Sequence, residues 1–306
     1  MDLALFVTQT LNGLQLGVLL FLVAAGLTLI FGIMDFINLA HGAFYMLGAY
    51  FCGTVLALTD SFLLGLLIAL PLTAAAGYIA EVTIARSLYT RDHLDHVLAT
   101  FGLILVLDTA VHWFWGAEGM AVPSPSWLSG QVGLFGAELP TYRVAIVAVG
   151  LMVAAGLYLM VARTRLGMLI RAGAANRTMV QALGIDIQKL FAVVFAIGAA
   201  MAGLAGMMIA PITEASIGMG NEIIIVAFVV IIIGGIGSIK GAFIGALIVG
   251  VIDTMGRSYL DQLLKLFMSE QFAETAAPAL SAMLIYIIMA AILVVRPQGL
   301  FPPRTR

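Results

Sequence analysis

Within GIMDFINLAHGAFYMLGAY, residues 32–50, a carboxylate, an amide and an imidazole stand at Asp35, Asn38 and His41, with long apolar runs on either side. Polar groups inside a membrane normally face a bundle interior or a water-filled path. Two roles are open to these three. Asp35 or Asn38 can cap the helix that follows by accepting its first free N–H groups, with Asn38 and His41, three apart, on one helix face. Alternatively, they line a translocation path or an interface with a second subunit. The same pair of readings holds for GGIGS, where Gly234, Gly235 and Gly237 either let helices pack closely or form a hinge.

Nothing else in the chain points to covalent chemistry, so no enzyme activity is expected. One cysteine, Cys52, gives neither a disulfide nor a metal-ligand spacing. His93 and His96 flank a short loop, His112 stands beside Trp113, and no third ligand completes a zinc set. Trp113, Trp115 and Trp127 read as an interfacial belt and outer loop. No nucleotide-binding loop of the G-x-x-x-x-G-K-[ST] type occurs, so any ATP that drives this protein is bound by another subunit. The carboxylates assigned to spans, Asp35, Glu81, Asp108 and Asp253, are far apart in sequence, unlike the acid runs of proton-coupled carriers.

The elements that carry these residues are membrane helices. The chain has 306 residues, of which 62% are hydrophobic and 10% charged. That leaves too little polar surface for a soluble domain of this size. A crossing takes roughly 20 apolar residues. Such runs lie at about 10–33, 36–57, 62–85, 96–115, 142–162, 188–211, 223–252 and 279–295. The fold class is therefore all-α, a single polytopic membrane domain over 1–306 with about eight or nine transmembrane or re-entrant helices. The first run is part of the fold rather than a removable signal, because no Lys or Arg precedes Arg86. Scattered basic residues and a net charge of −2 argue against a nucleic-acid partner and for the lipid bilayer.

Lys and Arg are retained on the cytoplasmic side. Arg163, Arg165, Arg171, Arg177 and Lys189 put the loop at about 163–189 inside, as do Arg86 and Arg91 for theirs and Arg296, Arg304 and Arg306 for the C-terminus. Segment 116–141, which contains Pro123, Pro125 and Pro140 but no Lys or Arg, falls outside, with the N-terminus and Asp2. Between two cytoplasmic ends the number of crossings must be even. Segment 223–252, about 45 Å long as one helix, must therefore enter and return, breaking at GGIGS with Lys240 at the turn. HGAFYMLGAY at 41–50 and KGAFIGALIV at 240–249 echo one another and would enter from the same side. Asp253, Arg257, Asp261 and Lys265, four apart, read as a self-neutralised helix face outside.

In loop 163–191 a short surface helix is expected to stop at Gly184 in left-handed conformation, with Ile185 as its hydrophobic contact. Asp186 then caps the next helix, and Ile185 with Leu190 fits a hydrophobic staple. Ala172, Ala174, Ala175 and Ala182 let that surface helix approach a partner closely, with Arg171 and Arg177 as a charged rim. A docking lever and a helix lying on lipid headgroups both fit.

GLTLIFGIMDFINLAHGAFYMLGAY at 26–50, RAGAANRTMVQALGIDIQKLF at 171–191, GGIGSIKGAFIGALIVG at 234–250 and RPQGLF at 296–301 together resemble the membrane permeases of branched-chain amino acid ABC importers, of the LivH type, over essentially the whole chain. The resemblance implies a bacterial inner-membrane subunit paired with a homologous second permease, two cytosolic ATPases and a periplasmic binding protein. It also implies a coupling helix formed by Arg171, Ala172, Ala175, Asn176, Ala182, Gly184 and Ile185, and leucine, isoleucine or valine as cargo. A permease of the same type for urea, short amides or a sugar, and a stand-alone secondary transporter or channel, remain the alternatives.

Overall fold

In the computed structural model, which describes residues 3–134 and 137–302, helices follow wherever the apolar runs are long enough. They are α1 (Leu3–Met34), α2 (His41–Thr59), α3 (Phe62–Thr83), α4 (His93–Trp115), α5 (Thr141–Arg163), α6 (Arg165–Ala175), α7 (Arg177–Ala182), α8 (Ile187–Thr213), α9 (Met219–Gly234), α10 (Ile239–Leu264) and α11 (Glu270–Val295). Eight are long and apolar enough to cross a bilayer. The ninth, α9, has 16 residues and spans about 24 Å, a short crossing. A small antiparallel hairpin, β1 (Gln131–Leu134) with β2 (Ala137–Pro140), sits in the loop between α4 and α5. Asp2, Arg304 and Arg306 lie outside the described residues.

Burial sorts the helices into two layers. The apolar windows of α1, α2 and α8 are 83%, 67% and 72% buried, whereas those of α4 and α5 are 17% buried and that of α11 is 11% buried. The first three form the core, and the others turn aliphatic side chains toward lipid. Core helices can approach this closely only where side chains are absent. Where α2 crosses α8, Gly48 and Gly203 meet backbone to backbone, with no room for a Cβ at Gly48.

The two ends of the bundle are marked by contacts between distant segments. At one end, Arg177 reaches the carbonyl of Ile33 (3.2 Å), Asp35 faces His93 (3.8 Å), and Gly32 lies against Gly237. At the other, Met120 pairs with Ala215, Arg143 donates to Asn12 (2.6 Å), and Lys265 bridges Asp261 and Glu274 (3.0 Å each). The charge distribution differs between the ends. Among the described residues Arg91, Arg163, Arg165, Arg171 and Lys240 at the first end form no ion pair, while at the second Arg257 and Lys265 are paired with acids and Arg143 alone is held by a neutral amide, that of Asn12. A cluster of free cations at one end only is what retention by an anionic membrane surface requires.

Several boundaries differ from the sequence expectation, each for a local reason. Residues 35–40 are not helical, so the span expected from 36 begins at His41. Segment 223–252 divides, as expected, at Gly235–Ser238, and α10 then runs on to Leu264. α11 starts at Glu270 and continues through Pro278, which reads in sequence as a helix boundary. The charge series on α10 pairs as anticipated, Arg257 with Asp253 at 2.9 Å and Lys265 with Asp261 at 3.0 Å. Lys265 is held more firmly protonated by the Asp261 and Glu274 carboxylates. That contribution is present at neutral pH and is lost only as pH rises through its raised value. Because the two side chains are 32% and 36% exposed and Lys265 keeps Glu274, Asp261→Asn is expected to lower the melting temperature of the solubilised protein only slightly.

Candidate functional site

The loop between α5 and α8 folds as two short helices rather than the single one expected. Thr164 caps α6 by accepting from the amide of Gly167 (3.1 Å). Asn176 ends α6 and caps α7 by accepting from Met179 (2.9 Å), because an asparagine side chain competes with helical bonding and suits a cap better than an interior position. The end of α7 follows the expected motif. Gly184 takes φ +82°, its amide donates to Gln181 (2.9 Å), and the amide of Ile185 donates to Val180 (3.3 Å). Asp186 then caps α8 by accepting from Lys189 (3.1 Å), a bond that holds its carboxyl below the usual carboxylate range. The cap is therefore intact at neutral pH and is lost as pH falls through that lowered value.

Gly167, Ile170, Gly173 and Val180 form the buried stripe of this pair, and Ala174, Ala175, Asn176, Ala182 and Gly184 are exposed, with Ala172 and Ile185 half-buried. Arg177 fastens the unit: its guanidinium donates to the carbonyl of Ile33 at the C-terminal end of α1 and lies 5.6 Å from the Phe191 ring. Three large apolar residues of this loop are exposed, Met168 at 56% on α6, Met179 at 58% on α7 and Leu183 at 73% just after it. Met179 and Leu183 are four apart, at the middle and the C-cap of α7. Arg171, in contrast, lines a cleft between α5 and α10.

The structure separates Asp35, Asn38 and His41. Asp35 is left-handed at φ +52°, exposed, and faces His93. Neither Asp35 nor Asn38 caps α2, whose N-cap is Ala40 with no side-chain bond. Asn38 precedes the helix and therefore shares no helix face with His41. Both are fully buried. His41 Nε2 lies 3.1 Å from the carbonyl of Val23, and neither amide atom of Asn38 has a protein partner. An aromatic cluster explains the unwinding. Phe36 is fully buried between His96 (4.5 Å between centroids), Tyr89 (6.0 Å) and Phe195 (6.5 Å), which holds 35–40 out of helical geometry.

At GGIGS, Gly235 and Gly237 take φ +106° and +82°, and Ser238 caps α10 by accepting from Gly241 (3.0 Å). Gly234 packs against Gly241 with no space for a side chain. The RPQGLF segment lies across this turn, the amides of Leu300 and Phe301 donating to the carbonyls of Ile233 and Gly234 (2.9 Å each).

The end opposite α6 and α7 contains a cavity of about 750 Å³ between α1, α2 and α8–α11. Its walls are largely aliphatic, Leu20, Ile209, Val226 and Ile285 among them. Into it come Glu214 from the end of α8, Glu222 from the first turn of α9, and the Asp253–Arg257 pair of α10. A smaller cavity beside Asn12 and Arg143 shares Asp253 and Arg257. Glu214 and Glu222 fall between the spans expected at 188–211 and 223–252. Only the tertiary structure brings them to one space.

The sequence profile of the permease component of branched-chain amino acid transport systems matches residues 9–293. The chain belongs to that permease family. It is 30% identical to the high-affinity branched-chain amino acid transport permease LivH of Salmonella typhimurium, over 96% of both chains. It is 34% identical to BraD of Pseudomonas aeruginosa, also a high-affinity branched-chain amino acid transport permease, over 82% of this chain and 86% of that one. The ribose import permease RbsC of Escherichia coli is similar at 26% identity over 76% of this chain and 72% of its own. No solved structure matches the chain. Among the described residues no group of three metal-ligating side chains could hold an ion.

Proposed function

We propose that this chain is the membrane permease subunit of an ABC importer for branched-chain amino acids. In this reading it pairs with a homologous permease, receives substrate from a periplasmic binding protein and is driven by two ATPases docked on α6 and α7. The observation that carries the proposal is the family match over nearly the whole chain, joined to a twice-capped helix pair at the cation-rich end. That end is assigned to the cytoplasm of a bacterial inner membrane, with the C-terminus on the same side. Capping rigidity suits the pair to transmit a push. Met179 and Leu183 supply its apolar contact, and the small Ala175 and Ala182 let an ATPase surface come close.

The cavity at the far end is the part of the route this subunit supplies. Its aliphatic wall suits the substrate side chain, its carboxylates suit an ammonium group, and Arg257 suits a carboxylate. Glu222→Gln is expected to lower leucine uptake about tenfold, with ATPase recovery unchanged. Uptake into vesicles and co-purification check the two halves.

The similarity to a ribose permease favours one second reading, a related permease with another cargo. Substrate-stimulated ATP hydrolysis by the reconstituted complex, compared for leucine, urea and ribose, separates them. Stimulation by leucine alone supports the proposal. Transport by this chain alone, driven by an ion gradient and indifferent to ATP, overturns it.

A further inference from the structure

A second cavity of about 750 Å³, on the flank of the bundle at the α6 end, takes no part in the function proposed above. Phe21 of α1 and Phe243 of α10, in edge contact at 5.1 Å between centroids, form its floor. Ala154 and Tyr158 of α5 form one side, and Arg171 of α6 with Lys240 of α10 stand at its mouth. Between Ala162 and Ala154, both lining residues, the cleft follows α5 for eight residues, about 12 Å into the bilayer.

Both cations are exposed, and among the described residues neither has an anionic partner. Lys240 has only the ring of Phe301, 5.4 Å away. Two uncompensated cations at headgroup depth above an apolar slot at acyl depth are complementary to one kind of molecule. A free anion has nothing to place in the slot. A zwitterionic lipid carries its own cation, which these two would repel.

We infer that this cleft binds one anionic phospholipid of the leaflet on the α6 side, its phosphate between Arg171 and Lys240 and an acyl chain along α5. Basic pockets between membrane helices hold acidic headgroups in this way. The bound lipid joins α6 to the start of α10 and so ties the first helix of the loop pair to the turn at Gly235–Ser238.

The test is native mass spectrometry of the detergent-solubilised chain with palmitoyl-oleoyl phosphatidylglycerol or phosphatidylcholine added in equal amount. The wild type is expected to retain the phosphatidylglycerol about tenfold better. Arg171→Gln with Lys240→Gln should erase the preference, and Lys240→Arg should keep it. Ala154→Trp, which fills the slot and leaves both cations, should release the lipid as well. A melting curve for each variant separates lost binding from lost folding. Equal retention of the two lipids by the wild type, or an undiminished preference in the double variant, overturns the inference. So does displacement by inorganic phosphate as readily as by phosphatidylglycerol, since that would leave an anion site and no lipid site.

Discussion

Gly184→Val is expected to lower ATP-dependent uptake about tenfold or more while leaving the amount of membrane-inserted protein unchanged. The site is open: no atom lies within 4 Å of where a Cβ would stand, so the effect cannot come from a clash. It comes from the backbone, since Gly184 sits at φ +82° and a β-branched residue there costs roughly 1–2 kcal/mol or more. Relief requires moving Gly184 out of the left-handed region. That would break the bonds from Gly184 to Gln181 and from Ile185 to Val180, and re-aim α7 with Met179 and Leu183. Gly184→Asn, whose residue tolerates the left-handed region, should retain most activity. Uptake and ATPase co-purification measured on both variants distinguish this from a general loss of stability. Wild-type uptake and ATPase recovery in the valine variant would remove the docking role from this loop.

Arg86→Ala should be the most destabilising single change near the α6 end, at about 3 kcal/mol. Glu81 is fully buried at the end of α3, with its carboxylate held by Arg86 (2.8 Å) and by the hydroxyl of Tyr89 (2.7 Å). Removing the arginine leaves a buried charge with one neutral donor. The figure sits at the low end for such pairs because the Arg86 side chain is 31% exposed and partly hydrated already. Tyr89→Phe should cost about 1 kcal/mol, and adding Glu81→Gln to Arg86→Ala should recover part of the loss. Burial, then the bond to Glu81, pushes the Tyr89 phenol above its ordinary value of 10.0. The bond from Tyr89 to Glu81 is thus lost to deprotonation of the phenol only as pH rises through that raised value. Thermal melting in detergent measures all of these. A melting temperature for Arg86→Ala equal to the wild type would contradict this account of the triad.

Features governed by local chemistry were legible in the sequence. Gly184, Ile185 and Asp186 carry the stop and restart of helix in their side chains and backbone freedom, and the glycines from 234 to 237 carry the break between α9 and α10. Features governed by convergence were not. Asn38 and His41 read as cap and path residues because their neighbours in sequence are apolar. Their fate was decided by Phe36, which packs on side chains from three other segments. Glu214 and Glu222 drew no notice because acids in a turn between spans ordinarily meet water, and the cavity they share exists only once α8, α9 and α10 are assembled. Asn176 divided the loop helix through a cap that its type permits and that the alanines around it disguise.

Residues 300 and 301 seat on the α9–α10 turn through two backbone hydrogen bonds. These residues follow α11, so α9 and α10 are synthesised before the donors to the Ile233 and Gly234 carbonyls exist. Closure of the turn is thereby deferred until residues 300 and 301 have been added, which makes the last segment to arrive the one that locks the break between α9 and α10.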